Sequence, residues 1–432
     1  MLETCRFLLY LNPGKKYGGG YLHKTFLRPA EDTTPGGFLM KKKIWIFAGE
    51  ASGDLYGARL AEELKKTAAG RNVQLEISGM GGPRMIAAGI PVMVDSTELG
   101  VMGVVEVLKL LFTFIGIYFK LVRAARRERP DAVVLIDYPG FNLLFALAMY
   151  WSRIPVIWYV CPHLWVWGKW RLPVLAKICS RMLVIFPFEE EVFAPTCLKA
   201  EFVGHPLIDI VSERHDPAIR RDENSFLLLP GSRVMEINRL LEPMLDTVTL
   251  LAKRHPELKF HLSAPREKIT RLCAEKIELY RKKHPECPEL ELSTGDTGKW
   301  QQQAGCGLAA SGTVTVESAI AGLPLVVGYR MNWITILLAS LVVKLYRGYF
   351  TMVNIIADHT VYEEFLQHRF CAEKLLAPVE SILPGGSRRK EVEAGMQEVK
   401  QLLTPGGGNA AWKAAEACMD LISANAPGTA EK

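Results

Sequence analysis

The chain has 432 residues, of which 49% are hydrophobic and 23% are charged, a composition typical of globular proteins with large buried cores. Its net charge of +6 is modest and, without a patterned basic patch, gives no case for nucleic-acid binding. The nine cysteines are scattered and form no Cys-x-x-Cys pair, which favours reduced thiols in the cytosol and argues against a zinc cluster or a disulfide framework.

Residues 1–39 differ in composition from the rest of the chain. They are rich in Gly, Pro and Lys and show no sustained hydrophobic period, so we predict a disordered or non-native extension. The apolar run "FLLYL" is too short for a signal-peptide core. Met40 and the lysines after it lead into the first predicted strand, so we expect either that Met40 is the natural start or that the extension is a dispensable tail.

From Lys43 onward, short apolar runs alternate with helical stretches. Runs that are apolar on both faces and separated by helices predict parallel sheets covered on both sides. The polar, proline-bounded stretch 205–217 divides the strands into two series. The predicted strands are 43–49, 74–79, 91–94, 131–137, 156–160, 182–187 and 201–203, and then 226–229, 259–263, 289–292, 307–310 and 324–328.

These two series predict an α/β fold with two Rossmann-like domains that face each other. Residues 40–205 form the first domain and residues 206–385 the second, with a ligand cleft at the carboxyl ends of the strands. We expect the helical tail, residues 386–432, to pack back on the first domain or to swap into a partner.

The turn after the first predicted strand, "AGEASGDLYG", lies where Rossmann-like folds bind phosphates or sugars. Its glycines lack the G-x-G-x-x-G spacing, so a dinucleotide fingerprint is not supported. The candidate cleft residues in this turn are Gly49, Glu50, Ser52, Gly53 and Asp54.

A second candidate turn is "LIDYPGFN", where Asp137 ends a fully apolar strand. A carboxylate at this position is either a turn cap or a general base that faces the cleft, and the residues alone leave both readings open. Asn142, in the same motif, is a further candidate for the cleft.

The first strand of the second domain runs into "LLLPGSRVMEI". A tight turn from a strand into a helix leaves backbone N–H groups and a helix dipole that favour an anion. Ser232 could cap the helix or donate to a phosphate, and Arg233 could offer a planar fork of donors. Gly231 lies in the turn, and Glu236 could hold the arginine in place. The alternative is an ordinary turn with a capping serine, a solvated arginine and a surface salt bridge.

The stretch "AASGTVTVESAIAGLPLVVGYRM" contains a third candidate turn. Ser311, Gly312 and Thr313 come at a strand end and open a helix whose N-terminus could hold a diphosphate. Glu317 lies about one turn further along and could accept hydrogen bonds from ribose hydroxyls. The alternative is a variant of the capping box.

The stretch from Val104 to Arg127 predicts an amphipathic helix with a wide apolar face and a basic end. At about 100° per residue, its polar residues fall within about 60° of one another. Such a helix suits the interface of an anionic bilayer, although a buried packing helix is the alternative. Residues 333–350 are a second candidate, and neither stretch reaches the ~20 apolar residues needed to span a membrane. The residues that we expect to contact lipid are Leu111, Phe112, Ile115 and Phe119.

The chain also carries, in order, "FAGEASGD", "GMGGPRM", "VMGVVEVL", "PDAVVLIDYPGFN", "WYVCPHLWVWG", "FVGHPL", "LLLPGSR", "ASGTVTVE", "VVGYRM" and "VNIIA". In this order, over nearly all of residues 42–420, these motifs resemble the lipid-A-disaccharide synthase family. The resemblance implies an inverting glycosyltransferase of the GT-B fold, which joins UDP-2,3-diacylglucosamine to 2,3-diacylglucosamine 1-phosphate (lipid X). The implied products are UDP and the β-1,6-linked lipid A disaccharide 1-phosphate, on the route to lipopolysaccharide of the Gram-negative outer membrane.

The resemblance also implies roles for single residues. Asp137 matches the family's proposed catalytic carboxylate, with Glu50 and Asp54 as rival bases, and Arg233 matches its essential nucleotide-side arginine. The segment 311–317 matches the UDP-binding segment. No cofactor is implied, and the lack of an Asp-x-Asp element favours a reaction without a metal ion. Tyr329, Arg330 and Asn354 fall in stretches that the resemblance assigns to nucleotide binding, and Trp165 and His205 in stretches that it assigns to the donor/acceptor cleft.

The implied partners are a UDP-sugar donor, a lipid acceptor and an anionic membrane surface, with no nucleic acid and with a homodimer allowed on family grounds. The implied location is cytoplasmic, peripheral on the inner face of the inner membrane. Three departures from the family's pattern leave the nucleotide half intact and fall on the acceptor and acyl-chain details. They are "DYPGFN" for Asp-Ala-Pro-Asp-Phe-Asn, "CPHLWVW" where Ser-Pro usually precedes the paired tryptophans, and "MVN" for Leu-Pro-Asn.

Two other functions stay open from the sequence. One is a different UDP-sugar enzyme of the same fold, such as a 2-epimerase, which would have no use for lipid-facing helices. The other is a non-catalytic membrane lipid-binding protein, which would bind no UDP.

Overall fold

The computed structural model describes residues 40–96, 104–162, 164, 169–330, 348–404, 406 and 409–424, with the side chains of 104–113 left out. The predicted extension 1–39 and Trp165 therefore lie outside the described residues. The same holds for most of the stretch 333–350 and for the side chains of Leu111 and Phe112.

A parallel sheet of seven strands lies at the centre of the first domain. Its strands are Met40–Ala48 (β1), Val73–Gly81 (β2), Val92–Asp95 (β3), Ala132–Ile136 (β4), Val156–Tyr159 (β5), Arg181–Val184 (β6) and Ala200–Phe202 (β7). Their order across the sheet is β3-β2-β1-β4-β5-β6-β7.

Helices cover both faces of this sheet, because alternate residues of the central strand β1 enter two separate cores. Ile44 and Ile46 belong to one core, and Trp45 and Phe47 to the other; all four are fully buried. The helices of the first domain are Ala51–Gly70 (α1), Pro83–Ala87 (α2), Val104–Glu128 (α3), Pro139–Trp151 (α4), Leu172–Ile178 (α5) and Glu189–Phe193 (α6).

A second parallel sheet, of six strands, forms the centre of the second domain. Its strands are Asp222–Leu229 (β8), Lys259–Ala264 (β9), Leu290–Thr294 (β10), Ala304–Ala310 (β11), Leu325–Tyr329 (β12) and Glu363–Leu366 (β13), in the order β10-β9-β8-β11-β12-β13. The predicted α/β class with two Rossmann-like sheets is confirmed, although β13 is absent from the predicted strands.

The remaining helices belong to the second domain, to the junction and to the tail. They are Pro206–Arg214 (α7), Val234–Arg254 (α8), Glu267–Lys283 (α9), Thr297–Gln303 (α10), Thr313–Ile320 (α11), Met352–Ala357 (α12), Ala372–Ile382 (α13), Arg389–Leu403 (α14) and Ala410–Ala424 (α15).

The two helices of the tail pack on different domains. In α14, the Arg389 guanidinium donates to the carbonyl of Gly305 at 2.7 Å, and Met396 accepts a hydrogen bond from the Tyr362 hydroxyl at 3.2 Å. This helix therefore packs on the second domain, contrary to the expectation that the whole tail packs on the first or swaps into a partner.

The last described helix, α15, packs on the first domain of its own chain. There, Arg71 at the end of α1 pairs with Glu416 and, at 2.8 Å, with Asp420. Arg181, at the start of β6, donates to the carbonyl of Ala417 at 2.8 Å. The last described helix therefore ties the end of the chain to the domain in which the chain begins.

Candidate active site

A pocket of about 980 Å³ opens at the carboxyl ends of β8, β9, β11 and β12. This is the edge at which open parallel sheets bind ligands. It brings together two loops that are far apart in the sequence, one after β8 and one after β11. The predicted nucleotide-binding residues that line it are Gly231, Ser232, Arg233, Glu236, Ser311, Gly312, Thr313, Glu317 and Tyr329.

The turn after β8 is held by Glu236. One of its carboxylate oxygens accepts from the backbone N–H of Ser232 at 2.8 Å and of Arg233 at 3.2 Å, and the other pairs with the Arg233 guanidinium at 3.3 Å. Gly231 has φ +115, a backbone conformation that favours glycine. The N-cap of α8 is Arg233, so of the two roles that the sequence left open for Ser232, helix capping does not apply. The arginine side chain remains 72% exposed at the mouth of the pocket.

The turn after β11 begins α11 with Gly312 as its N-cap. Glycine has no side chain with which to cap the helix, so the capping-box alternative does not apply here. Glu317 lies one turn into α11 and lines the same pocket. Burial raises the pKa of its carboxyl, while Arg214 and a hydrogen bond from Gln301 oppose the shift. The arrangement offers backbone donors for an anion beside a carboxylate acceptor.

Two predicted nucleotide-binding residues do not reach this pocket. The Arg330 guanidinium donates to the carbonyls of Gln367 at 3.1 Å and Phe370 at 2.6 Å, and it lines a different pocket of about 1080 Å³. Asn354 is fully buried, and its amide bonds to the backbone of Tyr362 and its neighbours. These groups are already hydrogen-bonded within the protein, so the pocket geometry gives no support to their assignment, and their binding of a nucleotide stays a prediction.

The pocket also contains residues that the sequence did not single out. Asp296 follows β10, and its Oδ1 is buried with no hydrogen-bond partner among the described residues. Arg214, at the end of α7, lines the pocket near Glu317. The sequence "GDTG" at 295–298 after a predicted strand was the available signal, since paired glycines there mark a turn at the ligand-binding edge.

Asp137 in the first domain lies in a strained turn. Asp137 and Tyr138 have φ +45 and +46, a left-handed conformation that costs non-glycine residues roughly 1–3 kcal/mol each. The buried Asn142 holds this turn, because its side-chain amide donates to the carbonyls of Ile136 at 3.2 Å and Asp137 at 2.8 Å. Gly49 makes room for the Tyr138 ring, which a Cβ at that position would strike.

The environment of Asp137 favours its neutral form. Burial, and then the negative charge of Glu50, raise its pKa to about 6, against a backbone hydrogen bond from Tyr138 that lowers it. Glu50 itself is exposed at the start of α1. Burial raises the pKa of the Tyr56 phenol, and the charges of Glu317 and Asp137 raise it further. Glu317 and Asp137 belong to different domains, yet each lies close enough for its charge to raise the pKa of Tyr56.

Asp54 is structural in this geometry. Its buried carboxylate accepts from the backbone N–H groups of Gly82 at 2.7 Å, Arg84 at 2.9 Å and Met85 at 3.1 Å, and so caps α2. Three backbone donors already occupy its carboxylate, so the geometry supports a structural role and gives no support to Asp54 as a rival base.

His205, like Asp54, caps a helix. Its ring is buried and accepts from the backbone N–H of Leu207 at 3.1 Å, which makes it the N-cap of α7, and burial lowers its pKa to about 3. It is therefore a neutral cap at the junction of the domains and not a cleft residue.

The last two predicted cleft residues of the first domain lie in the first turn of α1. Ser52 is exposed, whereas Gly53 is buried where a Cβ would contact Ala48 and Ile136. Within the described residues, no group of three His, Cys, Asp or Glu side chains is arranged to hold a metal ion.

A separate surface of the first domain exposes large apolar side chains. On α3, Ile115 is 43% and Phe119 64% exposed; on the adjoining α4, Leu144 is 45% and Trp151 73% exposed. We call these four residues the apolar patch. The two helices meet where the Tyr118 hydroxyl donates to the carbonyl of Leu144 at 3.4 Å.

The other side of α3 is a packing face. Leu121, Val122 and Ala125 belong to the buried core of the first domain, whereas Lys120 and Arg123 are exposed. The helix is therefore partly buried, as the packing alternative expects, and partly exposed. Contact of the exposed face with a membrane stays a prediction. None of the helices in the described part of the chain has the length and apolar character needed to span a membrane.

Two parallel α/β domains that face each other define the GT-B class of architecture. The second domain carries the anion-favouring pocket, and the first carries the strained turn at Asp137. The chain is similar in fold to S. aureus MnaA in its co-structure with UDP, with a TM-score of 0.58 and 13% identity over 88% of this chain and 96% of that chain. It is also similar to UDP-GlcNAc 2-epimerase from Neisseria meningitidis bound to UDP-GlcNAc, with a TM-score of 0.56 and 12% identity over 89% of this chain and 100% of that chain. At these identities the likeness shows the fold alone.

Sequence relatives identify the family. The family model described as lipid-A-disaccharide synthetase matches residues 44–418. The chain is 35% identical over 388 residues to lipid-A-disaccharide synthase of Koribacter versatilis (strain Ellin345), covering 88% of this chain and 98% of the relative. It is 34% identical over 371 residues to the synthase of Anaeromyxobacter dehalogenans (strain 2CP-C), covering 84% and 93%. The chain belongs to the lipid-A-disaccharide synthetase family and is a glycosyltransferase; the predicted family is confirmed.

Proposed function

We propose that this enzyme condenses UDP-2,3-diacylglucosamine with 2,3-diacylglucosamine 1-phosphate, forming the β-1,6-linked lipid A disaccharide 1-phosphate and UDP. One observation carries the proposal beyond family membership. A strained, largely buried carboxylate in the first domain and an anion-favouring pocket in the second both lie at the carboxyl ends of their sheets. Transfer of a sugar from a nucleotide requires such a pair of groups.

The donor nucleotide is assigned to the pocket of the second domain. The backbone at Gly231 and at the start of α11 offers N–H groups to the diphosphate, and Arg233 adds a positive charge at the pocket mouth. Glu317 accepts from the ribose hydroxyls. The same positive groups stabilise the charge that develops on UDP as it leaves.

Asp137 is assigned as the general base. Its carboxylate takes the proton from the 6-hydroxyl of the acceptor as that oxygen bonds to the anomeric carbon of the donor. The bond from the anomeric carbon to UDP breaks on the opposite side, which inverts the configuration. A base is most effective when its pKa lies near the working pH, and the pKa of Asp137, raised to about 6 by burial and Glu50, meets that condition.

The apolar patch is assigned to the membrane surface from which both acylated substrates come. Exposed Ile115, Phe119 and Trp151 would enter the boundary of the acyl chains, and the exposed cations Lys120 and Arg123 would face anionic head groups. This assignment makes the enzyme peripheral on the inner face of the inner membrane. A homodimer stays a prediction.

A product assay tests the proposal. Wild-type enzyme with both diacylated substrates should release UDP and a disaccharide 1-phosphate whose mass equals that of donor plus acceptor minus UDP, detected by mass spectrometry. A 2-epimerase would instead convert the donor alone to its 2-epimer without any acceptor. Disaccharide absent while the epimer accumulates would reject the glycosyl transfer proposed here.

A variant of Arg233 tests the nucleotide assignment. Arg233→Ala should weaken both UDP affinity and turnover, because a charge-assisted contact to the diphosphate acts in the ground state as well as in the transition state. Arg271→Ala is the matched control, since this exposed arginine only pairs with Glu267 within α9. Calorimetric titration with UDP that gives equal affinity for Arg233→Ala and the control would remove Arg233 from the nucleotide site.

A further inference from the structure

One wall of the nucleotide pocket is built by a short segment between β12 and β13. Tyr349, Phe350, Met352 and Ile355 line the pocket from this segment, which leads into α12. These side chains are largely apolar, whereas Arg233 and Glu317, which line the same pocket, are charged. Their position depends on how the backbone of the segment is fixed to the sheet.

That backbone is bound by the carboxylate of Glu364, on β13. One oxygen of Glu364 accepts from the Thr351 backbone N–H at 2.8 Å, from the Thr351 hydroxyl and from the Asn354 side-chain amide at 2.8 Å. The other accepts from the Phe350 backbone N–H at 3.2 Å. Four donor groups of three residues, all within the five-residue stretch 350–354, therefore bind one side chain.

The burial of this group indicates a specific role. Thr351 and Asn354 are fully buried, and burial raises the pKa of Glu364 against the hydrogen bonds that lower it. The carboxylate of Glu364 is itself partly buried, so hydrogen bonds must replace part of its hydration, and here the donors are those of the pocket wall. Asn354 extends the same network, because its side-chain oxygen accepts from the backbone N–H groups of Val361 and Tyr362 at 2.9 Å.

The neighbouring Glu363 shows what an ordinary glutamate does on this strand. Successive side chains of a strand point to opposite faces, so Glu363 faces away from Glu364. Its carboxylate pairs with Arg388 at 2.8 Å, next to the start of α14. The two glutamates have the same charge and adjacent positions, but only Glu364 contacts the pocket wall.

We propose that Glu364 is a positioning residue for the donor nucleotide: it clamps residues 350–354 so that the apolar wall keeps the shape that UDP requires. This inference rests on the proposed function in naming UDP, whereas the clamp itself does not. Glu364 acts through the wall and touches no reacting atom. Its loss should therefore weaken nucleotide binding and raise the donor KM, while kcat changes only a few-fold.

The test compares Glu364→Ala and Glu364→Gln with the matched control Glu363→Gln. Calorimetry measures UDP affinity, and hydrogen exchange measures protection of the amides of Phe350 and Thr351. Glu364→Ala should expose both amides and weaken UDP binding by about 10-fold or more, the scale of losing a charge-assisted hydrogen bond. Glu364→Gln keeps one oxygen acceptor and should recover part of the affinity. Glu363→Gln should match the wild type in both measurements.

Each other outcome counts against the clamp. Unchanged exchange in Glu364→Ala would show that the carboxylate does not hold the wall. Faster exchange with unchanged UDP affinity would show that the wall does not shape the site. If Glu364→Ala fails to fold, the same criteria apply to Glu364→Gln. A wild type that binds no UDP would defeat the proposed function, and the exchange comparison would still decide whether Glu364 clamps the segment.

Discussion

Asp137 combines two features that a structural turn cap does not require. The backbones of Asp137 and Tyr138 are both in the left-handed region. The Asp137 carboxyl is largely buried, and none of the groups that shift its pKa is positively charged. Asp54 shows the contrast, because its equally acidic side chain is bound by three backbone donors. Strain and an unneutralised carboxylate are typical of functional sites.

The first prediction concerns the activity of Asp137→Asn. Asparagine keeps the shape of the side chain and tolerates the left-handed backbone, but it cannot take a proton. Turnover should fall by roughly 10²–10⁴-fold, the usual contribution of a general base, with UDP affinity little changed. In the wild type, kcat/KM should decline below about pH 6 as the base becomes protonated. Rates of both enzymes measured from pH 5 to 8 test the loss of turnover in the variant and the acidic decline in the wild type. A variant rate within a few-fold of wild type would show that Asp137 is not the base, and Glu50 would become the next candidate.

The second prediction concerns the stability of the same variant. The folded protein holds the proton of Asp137 more tightly than the unfolded chain, since the pKa is raised from 3.8 to about 6. This contribution to the free energy of unfolding is present below pH 4 and is lost as the pH rises to about 6. Asp137→Asn carries no charge, so above pH 6 it should be more stable than the wild type by at most about 3 kcal/mol, and the difference should vanish near pH 4. Urea denaturation at pH 4 and pH 7.5 measures it, and equal stability at pH 7.5 would contradict the raised pKa.

Sequence reasoning located the turns of the site better than the orientation of single side chains. Gly231, Arg233 and Glu317 line one pocket because strand ends of a parallel sheet meet at one edge. Arg330 and Asn354 lie just beyond the same edge, yet their polar groups bind the protein's own backbone. Which carbonyl lies within reach of a side chain depends on tertiary packing, and no local pattern in the sequence records it.

At the scale of elements, the apolar runs predicted every strand except β13. Its sequence, Glu-Glu-Phe-Leu, begins with two charges and lacks a period-2 apolar pattern. Both charges have partners that come from other elements, Arg388 for Glu363 and the Thr351 segment for Glu364. A strand that is stabilised by such distant polar contacts cannot be recognised from hydrophobic periodicity.

The third prediction belongs to helix α3 and the apolar patch. Replacing Ile115 and Phe119 together with Ser should weaken sedimentation with anionic liposomes, because these exposed side chains supply apolar area to the bilayer interface. UDP affinity and melting temperature should stay near wild type, since neither residue lies in the core. The matched control is Leu279→Ser on α9, which removes a side chain that is 60% exposed on the second domain. Equal liposome binding by the double variant and the control would contradict the membrane assignment.

At the scale of the whole molecule, the first and the last described elements, β1 and α15, belong to the same domain. The chain passes from the first domain through α7 into the second, and α15 then returns to pack on α1. Asp209 of α7 accepts from the backbone N–H of Ala410 at 3.1 Å, so the crossing and returning segments are joined. The sequence predicted a return of the tail, whereas the assignment of α14 to the second domain depends on contacts such as that between Arg389 and Gly305.

The last prediction therefore compares the two ends of the chain. Removing residues 405–432 exposes the face of α1 that α15 covers and deletes the fully buried Met419 and Ile422. Burial of each such side chain contributes about 1.5–3 kcal/mol, so the loss of these two alone should lower the free energy of unfolding by about 3–6 kcal/mol. Deletion of residues 1–39 is the control, a longer truncation at the other terminus, and we expect no change in stability or activity, because that segment has no apolar periodicity to contribute to a core. Urea denaturation of both truncations, followed at the tryptophans of the first domain, measures the difference. If the variant truncated at residue 405 were as stable as the wild type, the packing of α15 on α1 would not stabilise the fold. A lower melting temperature after deletion of residues 1–39 would show that the extension is part of the folded protein.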